Sequence, residues 1–593
     1  MIDFWSFFII LISTLSPTFS LSPSRLRLRG DSAWKRALES PNASAAAKAV
    51  REAYSFYIEA YQSASESDPI FSASCFYEAA YTSAVGALIE ELPLSSEVSR
   101  ILQNELTITA KRDCVDTSES LTVSSSSCFG HSQISQLVAL SMLDARDLFL
   151  VSKIWALDRS VIMTSNIINT QNQKRINENL MRVGFLSTSF GDHPVGHHIT
   201  PLLLYLNRSF FEVFCFYSPV NGRIDKDMSF LETNKAACDT WIELEGEEEG
   251  ETSEKLSDIS YSSSEKSARL ISSADLNLLI SIDGFDKGNR MDVLSLRPSH
   301  CVLSFFGYLA TSGADYIDGI ISDDISIPVV DEVYYSEQFI LRHPITFFVN
   351  NYRHLHPEII QGDEMTQFNV KSMLHSHLTI ANDSFFSFTF CSFSQLFKIS
   401  QDTANAWLYI LQNTSNTTKL VLLGYPPTGM PNLELYFQSK GMGHRIEFLP
   451  ILPRNQHLLR KRELCTLGLD TFYYNGHTTV ADLLWAGVPV LTFAASNVAM
   501  AGKAAASLIK AAGAPKLFYG AISIKEYIQN AIDIERAYMR KMNGVLDKEM
   551  KEELIWRPSQ SSELFQTEKW VRSFENVLRE GEMKCIEGMH TTK

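Results

Sequence analysis

Hydrophobic and polar positions change rhythm along this chain of 593 residues. From about Ser32 to Asn169, apolar residues recur every three or four positions, most clearly in Ala45 to Ala60 and Tyr77 to Leu92. That period predicts amphipathic helices. The serine-rich stretch Thr117 to Ser127 interrupts them. Paired helices would suit a degenerate tetratricopeptide array, but no unit of fixed length repeats, so a helical cap is the simpler reading.

At Met181 the pattern shortens. Arg182 to Ser187, Phe211 to Tyr217, Leu276 to Ile282, Cys301 to Phe306, Ile317 to Ser322 and Gln338 to Leu341 are short apolar runs. A second series comprises Phe388 to Phe393, Lys419 to Leu423, Arg445 to Leu449, Thr466 to Asp470 and Val488 to Phe493. Helical stretches Ala404 to Gln412, Leu433 to Ser439 and Val480 to Ala486 fall between them. Such alternation predicts an α/β protein with mostly parallel, doubly wound sheets. The expected division is 1–20 a signal-like leader, 21–175 helical, 176–370 and 371–545 two Rossmann-like halves, and 546–593 a helical tail. Lys569 to Arg579 in that tail is expected to pack back on the body. The polar stretch Asn350 to Gln367 joins the halves, and the cleft between them is the expected site.

Composition narrows the function. A formal charge of −16 argues against a protein that grips nucleic acid through its phosphates. Part of the acidity is local: Glu243, Glu245, Glu247, Glu248, Glu249, Glu251 and Glu254 crowd one stretch, read as a solvated loop. The nine cysteines form no CxxC pair, which argues against a zinc ribbon and a disulfide-dense scaffold. Cys114 and Cys128 flank the serine-rich stretch and are placed to bridge in an oxidising compartment; most of the others read as buried thiols. Phe4 to Leu15 is an apolar run too short for a comfortable membrane span, followed by Pro17, Ser20 and three arginines. It resembles a secretory signal or the front of a plastid leader; left uncleaved it would anchor the chain to a membrane. Without a leader, cytoplasm or nucleus is the alternative. Asn42, Asn207, Asn382, Asn413 and Asn416 lie in N-x-Ser/Thr sequons.

Four clusters carry candidate chemistry. In Asp470 to Asp482 a strand ends, a turn with Gly476 follows, and a helix begins at Thr478 and Thr479. First-turn amides and the helix dipole favour an anion there; a plain capped helix start is the alternative. Gln395 and Lys398 stand three apart after a strand, where a lysine can neutralise a leaving phosphate, or simply face solvent. Arg454, His457 and Arg460 follow another strand and read as a base-binding group or as a charged helix start. His193, His197 and His198 follow the first strand, but no further ligand cluster completes a metal shell. A histidine beside a substrate, or one opening a helix, is the better reading.

In this order the clusters resemble the catalytic region of protein O-linked N-acetylglucosamine transferases. The resemblance runs from Met181 to about Ile534 and includes Gly307-Tyr308, Thr311-Ser312-Gly313-Ala314 and Leu484-Trp485-Ala486-Gly487-Val488-Pro489. It implies a GT-B fold and metal-independent, inverting transfer from UDP-N-acetylglucosamine to Ser or Thr hydroxyls of proteins, with no separate cofactor. By position, Lys398 and Gln395 would hold the diphosphate with Thr478 and Thr479. His457 and Arg460 would lie at the uracil and Asp482 at the ribose. His193 would stand beside the sugar and acceptor, Phe306 and Gly307 would line the sugar pocket, and His477 would border it. The chain departs from the family at Gly284-Phe285-Asp286, where Gly-His-Thr or Gly-Tyr-Thr is common. Phe397 stands for a frequent tyrosine and Arg454 for a lysine. Two alternatives follow: a GDP-fucose-dependent protein O-fucosyltransferase, or a silent homologue that binds without transfer.

Overall fold

The computed structural model describes residues 180–220, 228–245, 256–285, 288–359, 388–494, 498–542 and 552–591, with isolated positions 29, 56, 145, 148, 149, 152 and 156. The leader, nearly all of the helical region, Asp286, the join beyond 359, and sequons Asn42 and Asn382 lie outside the described residues.

Two all-parallel sheets dominate. The first contains β1 (Met181–Ser187), β2 (Phe211–Tyr217), β3 (Thr240–Glu243), β4 (Leu278–Ser281), β5 (Val302–Ser304), β6 (Gly319–Ser322) and β7 (Phe339–Arg342), in the spatial order β3-β2-β1-β4-β5-β6-β7. The second contains β8 (Thr389–Ser392), β9 (Lys419–Leu423), β10 (Ile446–Leu449), β11 (Leu467–Leu469) and β12 (Val490–Leu491), ordered β10-β9-β8-β11-β12. Each sheet reverses direction beside its first strand, the topology of a Rossmann-like half. Parallel strands need crossovers, and the covering helices bury both sheet faces. That is why the strands read as unbroken apolar runs: Val183 to Ser187 is buried throughout, as are Leu278 to Ser281.

β3 escaped the hydrophobic pattern. It is a four-residue edge strand, Thr-Trp-Ile-Glu, half-buried and already entering the acidic stretch, with Glu243 exposed. The final helix, Thr567–Thr591, returns to the first half as expected. Trp570, Val571, Phe574 and Leu578 join the core formed by Val183, Phe185, Ile280 and Leu303. His343 stacks on Trp570 with centroids 4.2 Å apart.

One expectation is refined and one corrected. The polar join is buried where it opens, a placement its composition did not indicate: Asn350, Asn351 and Tyr352 are all buried. Asn350 donates to the Leu564 carbonyl at 2.7 Å and its own carbonyl accepts from Thr567 at 2.8 Å, so its polarity is spent internally. The cysteines expected as thiols are paired: Cys215–Cys238, Cys301–Cys585 and Cys391–Cys465. Their sequence separations of 23, 284 and 74 residues explain why local spacing gave no sign of pairing.

The halves meet through buried polar contacts. Ser507 donates to Asp323 at 2.6 Å, the Ala501 amide donates to the Leu309 carbonyl at 3.0 Å, and Lys503 pairs with Asp331.

Candidate active site

Every site loop leaves the carboxyl end of a strand, where ligands bind in open parallel sheets. The turn after β11 is shaped by Asp470. This buried carboxylate accepts from the Gly476 amide at 2.8 Å and from Thr492 at 2.7 Å. Burial raises its pKa to about 7, against the pull of those donors and Lys398. Asn475 donates to the Thr471 carbonyl at 2.6 Å and accepts from the Ala505 amide, which closes the turn. The Thr478–Trp485 helix then starts, its first-turn amides lacking acceptors within the helix.

Lys398 reaches this turn from the loop after β8. Its Nζ donates to the Asn475 carbonyl at 2.9 Å and lies 3.5 Å from the centroid of the Tyr474 ring. Burial lowers its pKa to about 7, with Asp470 opposing the shift. His477 rests with Nε2 3.4 Å from the Ala501 carbonyl and is pushed down to about 3 by burial and then Lys398. It is therefore neutral at physiological pH. Gln395 is exposed at the mouth of the same loop.

The three histidines after β1 divide their labour. His193 caps the Pro194–Tyr205 helix, its Nδ1 accepting from the Val195 amide at 3.3 Å. His197 bridges Asp192 at 3.0 Å and Arg454 at 2.9 Å. Burial and then Arg454 hold it neutral, near 4, so Nδ1 accepts from the guanidinium while Nε2–H donates to Asp192. His198 is buried across the cleft, with Nε2 3.1 Å from the Thr478 hydroxyl. Its ring lies among Phe306 and Phe348 at 5.7 and 4.7 Å. His198 therefore meets the start of the Thr478–Trp485 helix directly, a placement the sequence spacing did not reveal.

Beyond β10, Arg460 donates to the Pro450 carbonyl at 2.8 Å and to His457 Nδ1 at 2.7 Å. Arg460 Nε is buried without a hydrogen-bond partner. His457 is held near 3 by burial, Lys461 and Arg460. Its neutral ring packs edge-on against Phe393, 5.2 Å between centroids. Asp482 lies beneath this group, only 7% exposed. One oxygen accepts from Tyr352 Oη and the other from Lys461 Nζ, each at 2.6 Å. The carboxylate expected at the ribose thus already holds a lysine and a tyrosine. Neither partner carried a sequence signal: Lys461 is a buried charge in a charged helix, and Tyr352 sits in the supposed linker.

The loops after β4 and β5 form the remaining wall. Asp283 accepts from the Ser187 hydroxyl at 2.7 Å and the Thr188 amide at 2.6 Å, locking the β1 and β4 ends together. Phe306 adopts φ +75°, a left-handed conformation that bulky residues rarely take. Gly307 follows so close to β4 that a Cβ would lie 1.8 Å from the Ile282 carbonyl oxygen. Phe285 meets Tyr308 edge-on at 5.3 Å, filling with hydrocarbon the place of a polar ring. Among the described residues, Cys301, Asp318 and Cys585 are the grouping with metal-like proximity. The two sulfurs are bonded to each other, and Asp318 is held by Arg297 at 2.7 Å and the Val302 amide at 2.8 Å.

Comparison with known proteins agrees with this geometry. Residues 151–384 and 359–574 match the model of glycosyl transferase family 41. The chain is 29% identical over 398 residues to a probable UDP-N-acetylglucosamine–peptide N-acetylglucosaminyltransferase, SEC, of Arabidopsis thaliana, covering 67% of this chain and 36% of that protein. It is 23% identical over 521 residues to the UDP-N-acetylglucosamine–peptide N-acetylglucosaminyltransferase of Caenorhabditis elegans, covering 71% and 42%. The matches thus span well under half of these relatives' own length. A Thermobaculum terrenum O-GlcNAc transferase mutant superposes with a TM-score of 0.56 at 17% identity, covering 95% of this chain and 100% of that one. Two Rossmann-like sheets facing across a cleft make this a GT-B fold, and the chain belongs to glycosyl transferase family 41.

Proposed function

We propose that this chain is an inverting protein O-N-acetylglucosaminyltransferase, moving the sugar of UDP-N-acetylglucosamine to Ser or Thr hydroxyls without a metal. The observation that carries the reading is the meeting of Lys398 with the Asn475 to Thr479 turn at a helix start. The names of the curated relatives supply the donor and peptide acceptor.

In this reading the acceptor hydroxyl attacks the anomeric carbon from the face opposite UDP. The new C–O bond forms as the bond to the β-phosphate oxygen breaks, so configuration inverts. The hydroxyl proton passes to solvent or to the departing phosphate; no residue is assigned as base. Negative charge grows on UDP, and Lys398, the first-turn amides and the Thr478 and Thr479 hydroxyls are fixed where it grows. Fixed donors in a water-poor cleft stabilise charge without first having to reorganise. Gln395 reaches the diphosphate from the rim. Arg460, whose Nε is unpartnered, and His457 present donors and an apolar edge to the uracil. Phe306 and Gly307 give backbone groups to the sugar, His477 borders it, and His193 stands on the acceptor side. Asp482 acts by holding Lys461 and Tyr352, with any ribose contact shared among them.

The test is incubation of the purified chain with acceptor peptides and either UDP-N-acetylglucosamine or GDP-fucose, with sugar addition read by mass. Addition of N-acetylhexosamine is expected. Transfer from GDP-fucose alone would refute the donor assignment. UDP binding without transfer from either donor would establish a silent homologue instead.

A further inference from the structure

All six cysteines among the described residues stand in pairs. Cys215 at β2 meets Cys238 ahead of β3. Cys391 in β8 meets Cys465 ahead of β11. Cys301, immediately before β5, meets Cys585 of the Thr567–Thr591 helix. The Cα separations of 6.0, 5.7 and 5.8 Å suit disulfides. Proteins of reducing compartments rarely keep such bridges, and unrelated free cysteines have no reason to meet two by two. The pairs also occupy mechanically useful places. Cys301–Cys585 ties the returning helix to the strand that ends in Phe306 and Gly307. Cys391–Cys465 ties the two neighbouring strands whose ends carry Lys398 and the phosphate-binding turn.

We infer that the catalytic body is oxidised to three disulfides and works in an oxidising compartment, so its acceptors are Ser and Thr hydroxyls of lumenal or exported proteins. The acceptor part rests on the transferase reading above; the bridges do not. Each bridge forms as two thiols lose two protons and two electrons to a disulfide oxidant, either a dithiol–disulfide exchange protein or oxidised glutathione. One S–S bond forms in the chain, and the oxidant's S–S bond is reduced to two thiols. Chelation of a metal by Cys301 and Cys585 is disfavoured, because the two sulfurs are bonded to each other and the nearby Asp318 is already engaged by Arg297 and Val302. Two sequon asparagines, Asn413 and Asn416, are exposed and open to N-linked glycosylation in the same compartment.

The test uses the full chain from its own cells, with thiols trapped by N-ethylmaleimide at lysis, then non-reducing digestion and peptide mass mapping. Three linked peptide pairs and no label on these six cysteines are expected, with an intact mass at least about 6 Da below that of the reduced chain. Label on the six cysteines overturns the inference. The transfer assay on the same preparation separates the two readings. Bridged but inactive protein would refute the transferase and leave the bridges standing; labelled but active protein would do the reverse. Recovery of sugar-modified acceptors solely from the cytosol would overturn the acceptor class.

Discussion

Lys398 Nζ donates to the carbonyl oxygen of Asn475 at 2.9 Å, so the cation after β8 is latched to the turn after β11. The same ammonium lies against the Tyr474 ring. A half-buried lysine held this way has given up part of its hydration for two weak partners, which prepares it for a stronger anion. Lys398→Ala is expected to weaken UDP binding about tenfold to a hundredfold, the worth of a charge-assisted hydrogen bond. It is expected to lower the transfer rate about a hundredfold to a thousandfold. Calorimetry and single-turnover transfer measure the two separately; an unchanged rate would remove Lys398 from the leaving-group role.

The same burial gives a pH signature. Lys398 titrates at about 7 in the free protein, so its charge is lost as pH rises through that value. A bound diphosphate favours the charged form and raises that pKa. Near pH 8, UDP binding is therefore expected to take up a substantial fraction of a proton, shown by the dependence of calorimetric heat on buffer ionisation. UDP affinity should fall as pH rises above about 7, and Lys398→Arg should flatten the fall because arginine stays charged. Proton release on binding at pH 8 would contradict this assignment.

The parallel sheets were legible in the sequence because their strands are buried on both faces. Runs such as Val183 to Leu186 and Leu278 to Ile280 therefore have no polar interruptions. The turn from Asp470 to Thr479 was legible for a local reason: strand, glycine turn and helix start are contiguous. His198, Tyr352 and Lys461 were not, since their partners Thr478 and Asp482 lie 280, 130 and 21 residues away. His193 was the more conspicuous histidine because of its neighbouring proline, yet that proline marks the start of the helix His193 caps. The cysteine pairs stayed hidden for the same topological reason: each depends on which strands and helices become neighbours.

Asp482 and Lys461 form a buried pair that joins the Arg454–Leu464 and Thr478–Trp485 helices. Burial works against the carboxylate, but Lys461 and Arg454 outweigh it and pull its pKa to about 2. A depressed carboxylate stabilises the fold above its unfolded value near 4 and loses that contribution as pH falls from about 4 to about 2. Asp482→Asn leaves Lys461 buried without its counter-charge and is expected to cost about 3–5 kcal/mol at neutral pH. Chemical denaturation of Asp482→Asn and of the double variant Asp482→Asn/Lys461→Met measures this, the double variant regaining most of the loss. A single variant as stable as the parent would show that the pair contributes nothing.

Gly307 gives the sharpest test of the proposed sugar-side wall. A Cβ there would meet the Ile282 carbonyl oxygen at 1.8 Å, its carbon at 2.9 Å and Asp283 Cα at 3.1 Å. All three are backbone atoms, and they have little freedom to retreat: the Ile282 amide is bonded to Leu186, and Asp283 is locked to Ser187 and Thr188. Side-chain repacking therefore gives no relief, and the loop carrying Phe306 must move. Gly307→Ala is expected to cost about 3 kcal/mol or more. It should also weaken UDP-N-acetylglucosamine binding more than UDP binding, since the proposed function puts this loop at the sugar and not at the nucleotide. Gly441 supplies the control, having φ +76° but open space where a Cβ would project. Gly441→Ala carries the backbone penalty alone, about 1–2 kcal/mol. Thermal melts and competition binding compare the two variants. Equal losses, or equal weakening of both ligands by Gly307→Ala, would remove this loop from the sugar site.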